Sequence, residues 1–297
     1  MNENIKNIKK ELADSLHTSI DDNCIDLFIS LLIQENPFNP NDYLDNWLSD
    51  INKNQPFYIS KKSISDLSDW FFNGSTGDLE HKSGRFFSIR GLRVETNKGI
   101  IPKWDQPIID QQEIGILGIL TKKFDGVLYF LMQAKAEPGN INHYQLSPTV
   151  QATRSNFQMI HQGKPTNYLK YFVTATASNI IIDQLQSEQG ARFFNKRNRN
   201  MIIEVHDEIE IIPNYKFMTL GQIYRLMDRD NVINMDTRSV LSNIFFTPGR
   251  VYNRKEPAID SFMDKMQNEE LISQSKLKTF KKILISSHPN SFVLNPL

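Results

Sequence analysis

The chain has 297 residues, 34 Lys and Arg balanced by 34 Asp and Glu, and a hydrophobic content of 39%. A formal net charge of zero disfavours a nucleic-acid-binding protein, because such proteins carry a basic excess. No apolar run approaches the roughly 18 residues of a membrane span, and the polar N-terminus does not resemble a signal peptide. The single Cys24 excludes a disulfide framework and a cysteine-based zinc site. We therefore expect a cytoplasmic globular protein that binds neither nucleic acid nor membrane.

The first 65 residues are predicted to form a helical accessory segment. In "IDDNCIDLFISLLIQ" apolar residues recur at helical spacing. The prolines of "NPFNPNDY" end that pattern, and a second helical stretch follows in "NDYLDNWLSDINK". Ser63 with Asp66 resembles the start of a further helix with an acidic first turn.

The period changes from Phe86 onward. "FFSIRGLRVET" predicts a strand, "IPKWDQPIID" an extended segment or loop, and "EIGILGILTKKFDGVLYFLMQAKAEPGN" a hairpin with its turn near "KKFDG". The stretch "YLKYFVTATASNIIIDQLQSEQGARFFNKRNRNMIIEV" predicts a strand, a helix, a basic loop and another strand. Thr219 and Gln222 have capping-box spacing, and "NMDTRSVLSNIFF" indicates a loop that turns into a helix. The tail 251–297 is predicted to be helical.

These elements mix strands and helices without a βαβ rhythm. The pattern favours an α+β fold arranged as an α/β/α sandwich, with an N-terminal helical segment.

The segment 133–156 is read as a long polar loop between strands, and such loops often carry binding residues. Within nine residues it offers Lys135, Glu137 and His143, which could act as general base, general acid and oxyanion partner. The alternative is an ordinary solvated loop. The other candidates of this segment, all for substrate binding, are Gln133, Asn140, Gln145, Ser147, Thr149, Gln151, Thr153, Arg154 and Ser155.

The segment "DQLQSEQG", residues 183–190, invites comparison with the Nudix box, R-E-x-x-E-E-x-G. Aligned on Gly190, only Glu188 is retained in register. One carboxylate cannot build the Mg²⁺ site that Nudix hydrolases use, which disfavours metal-dependent pyrophosphate hydrolysis. A surface helix with a glycine C-cap explains the segment nearly as well.

Basic and aromatic residues supply candidates for nucleotide binding. The basic string "RFFNKRNRN" contains Arg197 and Arg199, whose guanidinium groups would suit a diphosphate. Arg238 near a helix start is a comparable candidate, and Asp236 beside it is a further candidate for substrate binding. The alternative for Arg238 is an ion pair with Asp236 or with a neighbour. Trp104 could stack on a base or sugar, but core packing is the more frequent fate of a tryptophan.

Taken together, several ordered strings resemble the NDP-hexose 2,3-dehydratases of deoxysugar biosynthesis. They are "IPKWDQPII", "QAKAEPGN", "QLSPTVQATRSN", "LQSEQGARFFNKRNRNMIIEV", "MTLGQI" and "NMDTRSVLS". The resemblance implies a Nudix-like dehydratase domain over residues 66–250 that has lost the Nudix metal site. It also implies a metal-independent reaction without a redox cofactor on a nucleotide-linked, usually dTDP-linked, 4-keto-6-deoxyhexose. Lys135, Glu137, His143 and Glu188 are then the catalytic candidates, with no roles assigned among them.

In this family loss of the C2 hydroxyl gives a 3,4-diketo sugar, which a partner ketoreductase reduces. Members typically carry two tandem copies of the domain, whereas each string occurs once here, so we expect a homodimer. Three alternatives stay open: an epimerase or ketoisomerase on the same substrate, a non-catalytic nucleotide-sugar-binding protein, and, last, a true Nudix hydrolase.

Overall fold

The computed structural model describes residues 7–11, 22–153 and 166–244. The predicted helical tail 251–297 lies outside these residues, and no comparison tests the proposed domain boundaries, which stay predictions. Residues 7–11 are helical. The named helices are α1 (Asp22–Leu32), α2 (Asn41–Asn54), α3 (Leu169–Val173), α4 (Leu220–Met227) and α5 (Met235–Leu241). A single 3₁₀ turn spans Ile64–Asp66.

Twelve strands form two sheets in the described part of the chain. The small sheet has the order β1-β2-β3-β4-β10, built from Trp70–Phe72, Leu79–His81, Ser88–Glu95, Lys103–Asp110 and Phe193–Phe194. The large sheet has the order β12-β6-β5-β11-β9, built from Tyr215–Met218, Val127–Ala136, Gly115–Phe124, Arg197–Glu204 and Ile180–Ser187. Two short strands, β7 (Tyr144–Ser147) and β8 (Val150–Ala152), complete it.

The large sheet is mixed, because β11 runs parallel to β5 and antiparallel to β9. Two apolar clusters cover it. One includes Leu120, Leu131 and Ile203 with Phe172 of α3, and the other includes Ile119, Phe130 and Ile202 with side chains of α2, α4 and α5. Since strand side chains alternate between faces, consecutive β11 residues enter different clusters. The predicted α+β fold, with a mixed sheet between helices and an N-terminal helical segment, is confirmed.

The N-terminal helices contribute to these clusters. Ile25, Ile29 and Leu32 of α1 are buried with one cluster, and Leu44 and Leu48 of α2 with the other. Burial of aliphatic side chains at this extent is worth about 1.5–3 kcal/mol each. The segment predicted as accessory is therefore a structural part of the fold.

Four local predictions were wrong. Most of 183–190 belongs to strand β9 rather than a helix, and Leu169–Val173 is a helix rather than a strand. The segment 133–156 is not one long loop, because its described part contains the end of β6 and all of β7 and β8. The helix expected at Ser63 is only the 3₁₀ turn, whose N-cap side chain makes no capping hydrogen bond.

Candidate active site

A polar cluster lies where β6 ends, centred on Lys135. The Lys135 Nζ donates to Glu137 Oε1 at 3.0 Å and to Gln151 Oε1 at 2.8 Å. The Gln151 Nε2 donates in turn to Glu137 Oε1 at 3.3 Å and to Asp236 Oδ2. The side chain of Gln151 therefore joins the Lys135–Glu137 ion pair on β6 to a second carboxylate on α5.

This cluster depends on a wedge formed by β7 and β8 between two strands that diverge. β5 and β6 pair directly with each other between the hairpin turn and the Leu120–Leu131 pair. On the far side of that pair the two strands separate, and β8 pairs with β5 while β7 pairs with β6. Thr149, between β7 and β8, accepts from Leu120 N at 2.9 Å and donates to Leu131 O, so it bridges the diverging strands. The wedge brings Gln151 opposite Lys135.

Helix α5 supplies the remaining carboxylate. It begins after Asn234, whose side chain accepts from Thr237 N at 2.8 Å and caps the helix. The Thr237 Oγ1 donates to Leu146 O of β7 at 3.1 Å, which ties the first turn of α5 to the sheet. Asp236 lies in this turn and faces Gln151.

The pKa of Asp236 is raised above its ordinary value. Burial is the largest cause, the hydrogen bond from Gln151 opposes it, the charges of Glu137 and Glu188 add to it, and Lys135 opposes it. Neutral carboxylic acid is thus favoured here more than at an exposed aspartate. The cluster combines one ammonium, one carboxylate and a carboxyl that retains its proton to higher pH, which is a set suited to proton transfer.

Amide side chains continue the polar face across the large sheet. Asn198 Nδ2 donates to Glu188 Oε2 at 2.7 Å, and Asn200 Nδ2 donates to Gln186 Oε1 at 2.8 Å. The Gln186 Nε2 reaches Asn243 Oδ1, beyond the end of α5, at 2.9 Å. The Asn200 Oδ1 is buried and finds no donor within the described structure. Glu188 is therefore fixed at the edge of the same face as Asp236, close enough for its charge to affect the pKa there.

The remaining catalytic candidate, His143, is turned away from this cluster. Its backbone has φ 57° and its carbonyl accepts from Glu137 N at 3.2 Å and from Asn140 Nδ2 at 3.0 Å. Its exposed ring lies 5.8 Å from the ring of Phe57. His143 thus shapes the loop after β6 through its backbone, and a catalytic role for it stays a prediction.

The other candidates in 133–156 are mostly sheet residues. Gln145, Ser147 and Thr149 are buried, and Ser147 Oγ donates to Gln133 O at 3.2 Å. Gln133 is half-buried at the end of β6, and Thr153 is half-buried directly after β8. Arg154 and Ser155 lie outside the described residues.

Three of the four nucleotide-binding candidates form hydrogen bonds with other groups of the protein. Trp104 lies on β4 and donates from Nε1 to Gln106 Oε1 at 2.8 Å. Arg199 Nε donates to Asp183 Oδ1 at 2.6 Å. Arg238 is exposed and donates to Met227 O at 3.3 Å, so the alternative of an ion pair with Asp236 is not observed. Arg197 is the fourth, and it lines a cavity beside Glu188.

Sequence reasoning missed Gln186, Asn198, Asn200 and Asn243. A usable signal exists in "RNRNMIIE", because alternation with period two on a strand places Asn198 and Asn200 on one face. Within the described residues, no group of three or more His, Cys, Asp and Glu side chains could hold a metal ion. In the same ranges, no helix is long and apolar enough to cross a membrane.

The fold and this cluster define an α+β protein with a candidate acid–base site at the end of β6 in its large sheet. A family model described as NDP-hexose 2,3-dehydratase matches residues 41–244. The chain belongs to this family, and the resemblance found in the sequence is confirmed.

Three relatives share the name dTDP-4-dehydro-6-deoxy-alpha-D-glucopyranose 2,3-dehydratase. The protein from Saccharopolyspora spinosa is 52% identical over 200 residues, covering 67% of this chain and 41% of that protein. The one from Amycolatopsis orientalis is 49% identical, covering 66% and 43%, and the one from Streptomyces violaceoruber is 44% identical, covering 68% and 46%. The chain thus spans less than half the length of these relatives.

Among solved structures, a crystal structure of an ADP compounds hydrolase matches 53% of this chain and 84% of its own chain. It shares 13% sequence identity, and the TM-score is 0.37. A structural similarity with this TM-score establishes neither the fold nor the activity. The Nudix-like description of the domain therefore stays a prediction.

Proposed function

We propose that this chain removes water from C2 and C3 of a nucleotide-linked, dTDP-type 4-keto-6-deoxyhexose. The observation that carries the proposal is the cluster of Lys135, Glu137 and Asp236 joined through Gln151, with Glu188 nearby, inside the region that matches the family. The names of the relatives supply the substrate class. The cluster supplies the acids and bases that such an elimination needs.

The chemistry divides into two proton transfers. The C4 ketone acidifies the C3 proton, which the Glu137 carboxylate removes while the Lys135 ammonium stabilises the enolate oxygen. The enolate electrons then form the C2–C3 double bond as the C2–O bond breaks. The Asp236 carboxyl gives its proton to the leaving hydroxyl, so that water departs. The enol that remains tautomerises to the 3,4-diketo sugar.

The test is an assay of the purified chain with dTDP-4-keto-6-deoxyglucose in D₂O, followed by mass spectrometry. We expect a product that has lost one water and carries deuterium at C2, because the enol takes up a solvent deuteron there as it tautomerises. Deuterium uptake without loss of water would identify an epimerase or ketoisomerase and contradict the proposal.

Substitution of the cluster tests the assigned groups. Glu137→Gln, Lys135→Met and Asp236→Asn should each lower kcat by about 10²–10⁴, because each removes a proton-transfer or enolate-stabilising group. Glu95→Gln is a matched control, since Glu95 forms an exposed ion pair with Lys103 on the small sheet. Circular dichroism would establish that the variants are folded, and folded variants with wild-type kcat would overturn the assignment.

We further propose three properties that accompany this function. A ketoreductase acts next, because a 3,4-diketo sugar is reactive and has to be reduced. The reaction needs no metal, so activity should survive EDTA. The chain works as a cytoplasmic homodimer, and apolar side chains exposed on the small sheet and in its β3–β4 connection, such as Phe72 at 62% and Ile101 at 63%, support a contact between copies. Light scattering of the purified chain tests the dimer.

A further inference from the structure

A cavity of about 540 Å³ lies between the two sheets, and its lining includes Glu188, whose charge acts on Asp236 of the polar cluster. The small sheet lines it with Leu92 of β3, Ile108 of β4 and the two residues of β10, and the large sheet lines it with residues at the end of β9 and the start of β11. The size falls within the range of roughly 300–1,000 Å³ that is usual for small-molecule sites. Its aromatic wall is formed by Phe193 and Phe194.

Two cations lie in the wall of this cavity. The side chain of Lys196 is buried at 5% exposure, and its Nζ donates to Glu113 O at 2.6 Å. That contact uses one of the three N–H groups of the ammonium. Burial lowers the pKa of Lys196, against the charges of Glu113 and Glu188. Arg197 is exposed and lines the cavity beside it. An anionic ligand would compensate the cost of burying the Lys196 charge.

The cavity and the polar cluster meet at Glu188. This residue lines the cavity, and its carboxylate is held by Asn198 Nδ2 at 2.7 Å and by Gln189 N at 3.1 Å. Its charge also acts on Asp236. A ligand with an anionic part and a neutral sugar part could therefore occupy the cavity with the first and reach the acid–base cluster with the second.

We propose that this cavity is the nucleoside-diphosphate subsite, with Lys196 and Arg197 as the diphosphate contacts and the sugar directed past Glu188 towards Lys135. This inference rests on the proposed function, because the nucleotide-sugar substrate class comes from it. It separates three arginine candidates of the sequence, since it selects Arg197 and leaves Arg199 and Arg238 without a substrate contact.

The test uses calorimetric titration of the full chain with dTDP, which lacks the sugar. Arg197→Gln should weaken dTDP binding roughly tenfold or more, because it removes a charge-assisted contact to the diphosphate. Leu92→Trp should abolish detectable binding by filling the cavity without changing its charge. Arg192→Gln is the control, since this exposed arginine of the same segment does not line the cavity and should bind dTDP as the wild type does.

The outcomes distinguish this inference from the function on which it rests. Asp236→Asn should leave dTDP affinity unchanged, whereas Arg197→Gln should raise KM for the dTDP-sugar more than it lowers kcat. Turnover with dTDP affinity unaffected by Arg197→Gln and Leu92→Trp would overturn the cavity assignment alone. Cavity-dependent dTDP binding without turnover would overturn the function alone. No dTDP binding by the wild type would also overturn the cavity assignment.

Discussion

At the scale of single residues, Asp236 makes stability depend on pH. Its pKa is raised in the folded protein, so the fold disfavours the ionised form. The preference of the fold for neutral Asp236 contributes fully to the free energy of unfolding below the ordinary pKa of 3.8. This contribution is lost as the pH rises through the raised pKa. We expect Asp236→Asn to gain stability relative to the wild type across that window, as measured by urea unfolding at a series of pH values.

Asp45 of α2 provides a control, because its pKa is shifted in the opposite direction to that of Asp236. Burial raises the pKa of Asp45, but the hydrogen bond and charge of Arg225 and the charge of Arg229 outweigh it, so the pKa is lowered. The wild type should therefore lose stability relative to Asp45→Asn as the pH falls through the lowered pKa. A stability difference for Asp236→Asn that does not change with pH would contradict the expectation for Asp236.

At the scale of elements, α4 packs against α1 through Gly221. A Cβ atom on Gly221 would lie 2.3 Å from Ile33 O and 2.6 Å from Leu31 O, and these backbone atoms cannot rotate away. Gly221→Ala should therefore lower the free energy of unfolding by about 3 kcal/mol, at the upper end of overpacking costs. Chemical denaturation of the purified variant measures this change.

Gly91 of β3 serves as the comparison for Gly221. A Cβ there would meet nothing within 4 Å, so Gly91→Ala should leave stability almost unchanged. Equal losses for the two variants would show that the close approach of α4 to α1 is not the cause.

Elements with strong local signals could be predicted from the sequence. The β5–β6 hairpin has two apolar runs that flank Asp125 and Gly126, and both of these turn residues have positive φ. The predicted capping box of Thr219 and Gln222 is present at the start of α4. The helix predicted at 183–190 is instead part of strand β9, because the β-branched run Ile180–Ile182 favours an extended backbone that continues to Ser187. Polar residues such as Gln145 and Thr149 suggested a loop, yet their buried side chains lie in and beside the strands of the wedge.

The site was partly predictable for the same reason. Lys135, Glu137 and Gln151 are close in sequence, so the polar segment indicated them directly. The contact of Gln151 with Asp236 spans 85 residues and depends on how α5 packs on the sheet, which no local pattern contains. The role of Lys196 depends on its burial, and a basic string predicts solvated side chains instead.

At the scale of the whole molecule, Lys123 connects the N-terminal region to the large sheet. Its Nζ lies 2.7 Å from Asp26 Oδ2 of α1 and 3.0 Å from Glu204 Oε2 of β11, and both carboxylates are less than 10% exposed. Lys123→Met would leave these buried charges without their shared partner. We expect a loss of about 3 kcal/mol in the free energy of unfolding, measured by denaturation.

Lys103 gives a matched control for Lys123. It forms an ion pair with Glu95, in which both side chains are more than half exposed. Lys103→Met should change stability by no more than about 0.5 kcal/mol. A comparable loss in both variants would argue against the burial of the Lys123 ion pairs as the source of their strength.

The wedge of β7 and β8 determines how precisely the side chains of the polar cluster are spaced. Lys135 is carried by β6, whereas Gln151 is carried by β8, which pairs with β5. The distance between these two side chains therefore reports how far apart the wedge holds β5 and β6, and a change of about 1 Å would break the hydrogen bond between them. Thr149, which bridges β5 and β6 through Leu120 N and Leu131 O, therefore helps to set the alignment of the groups proposed to react.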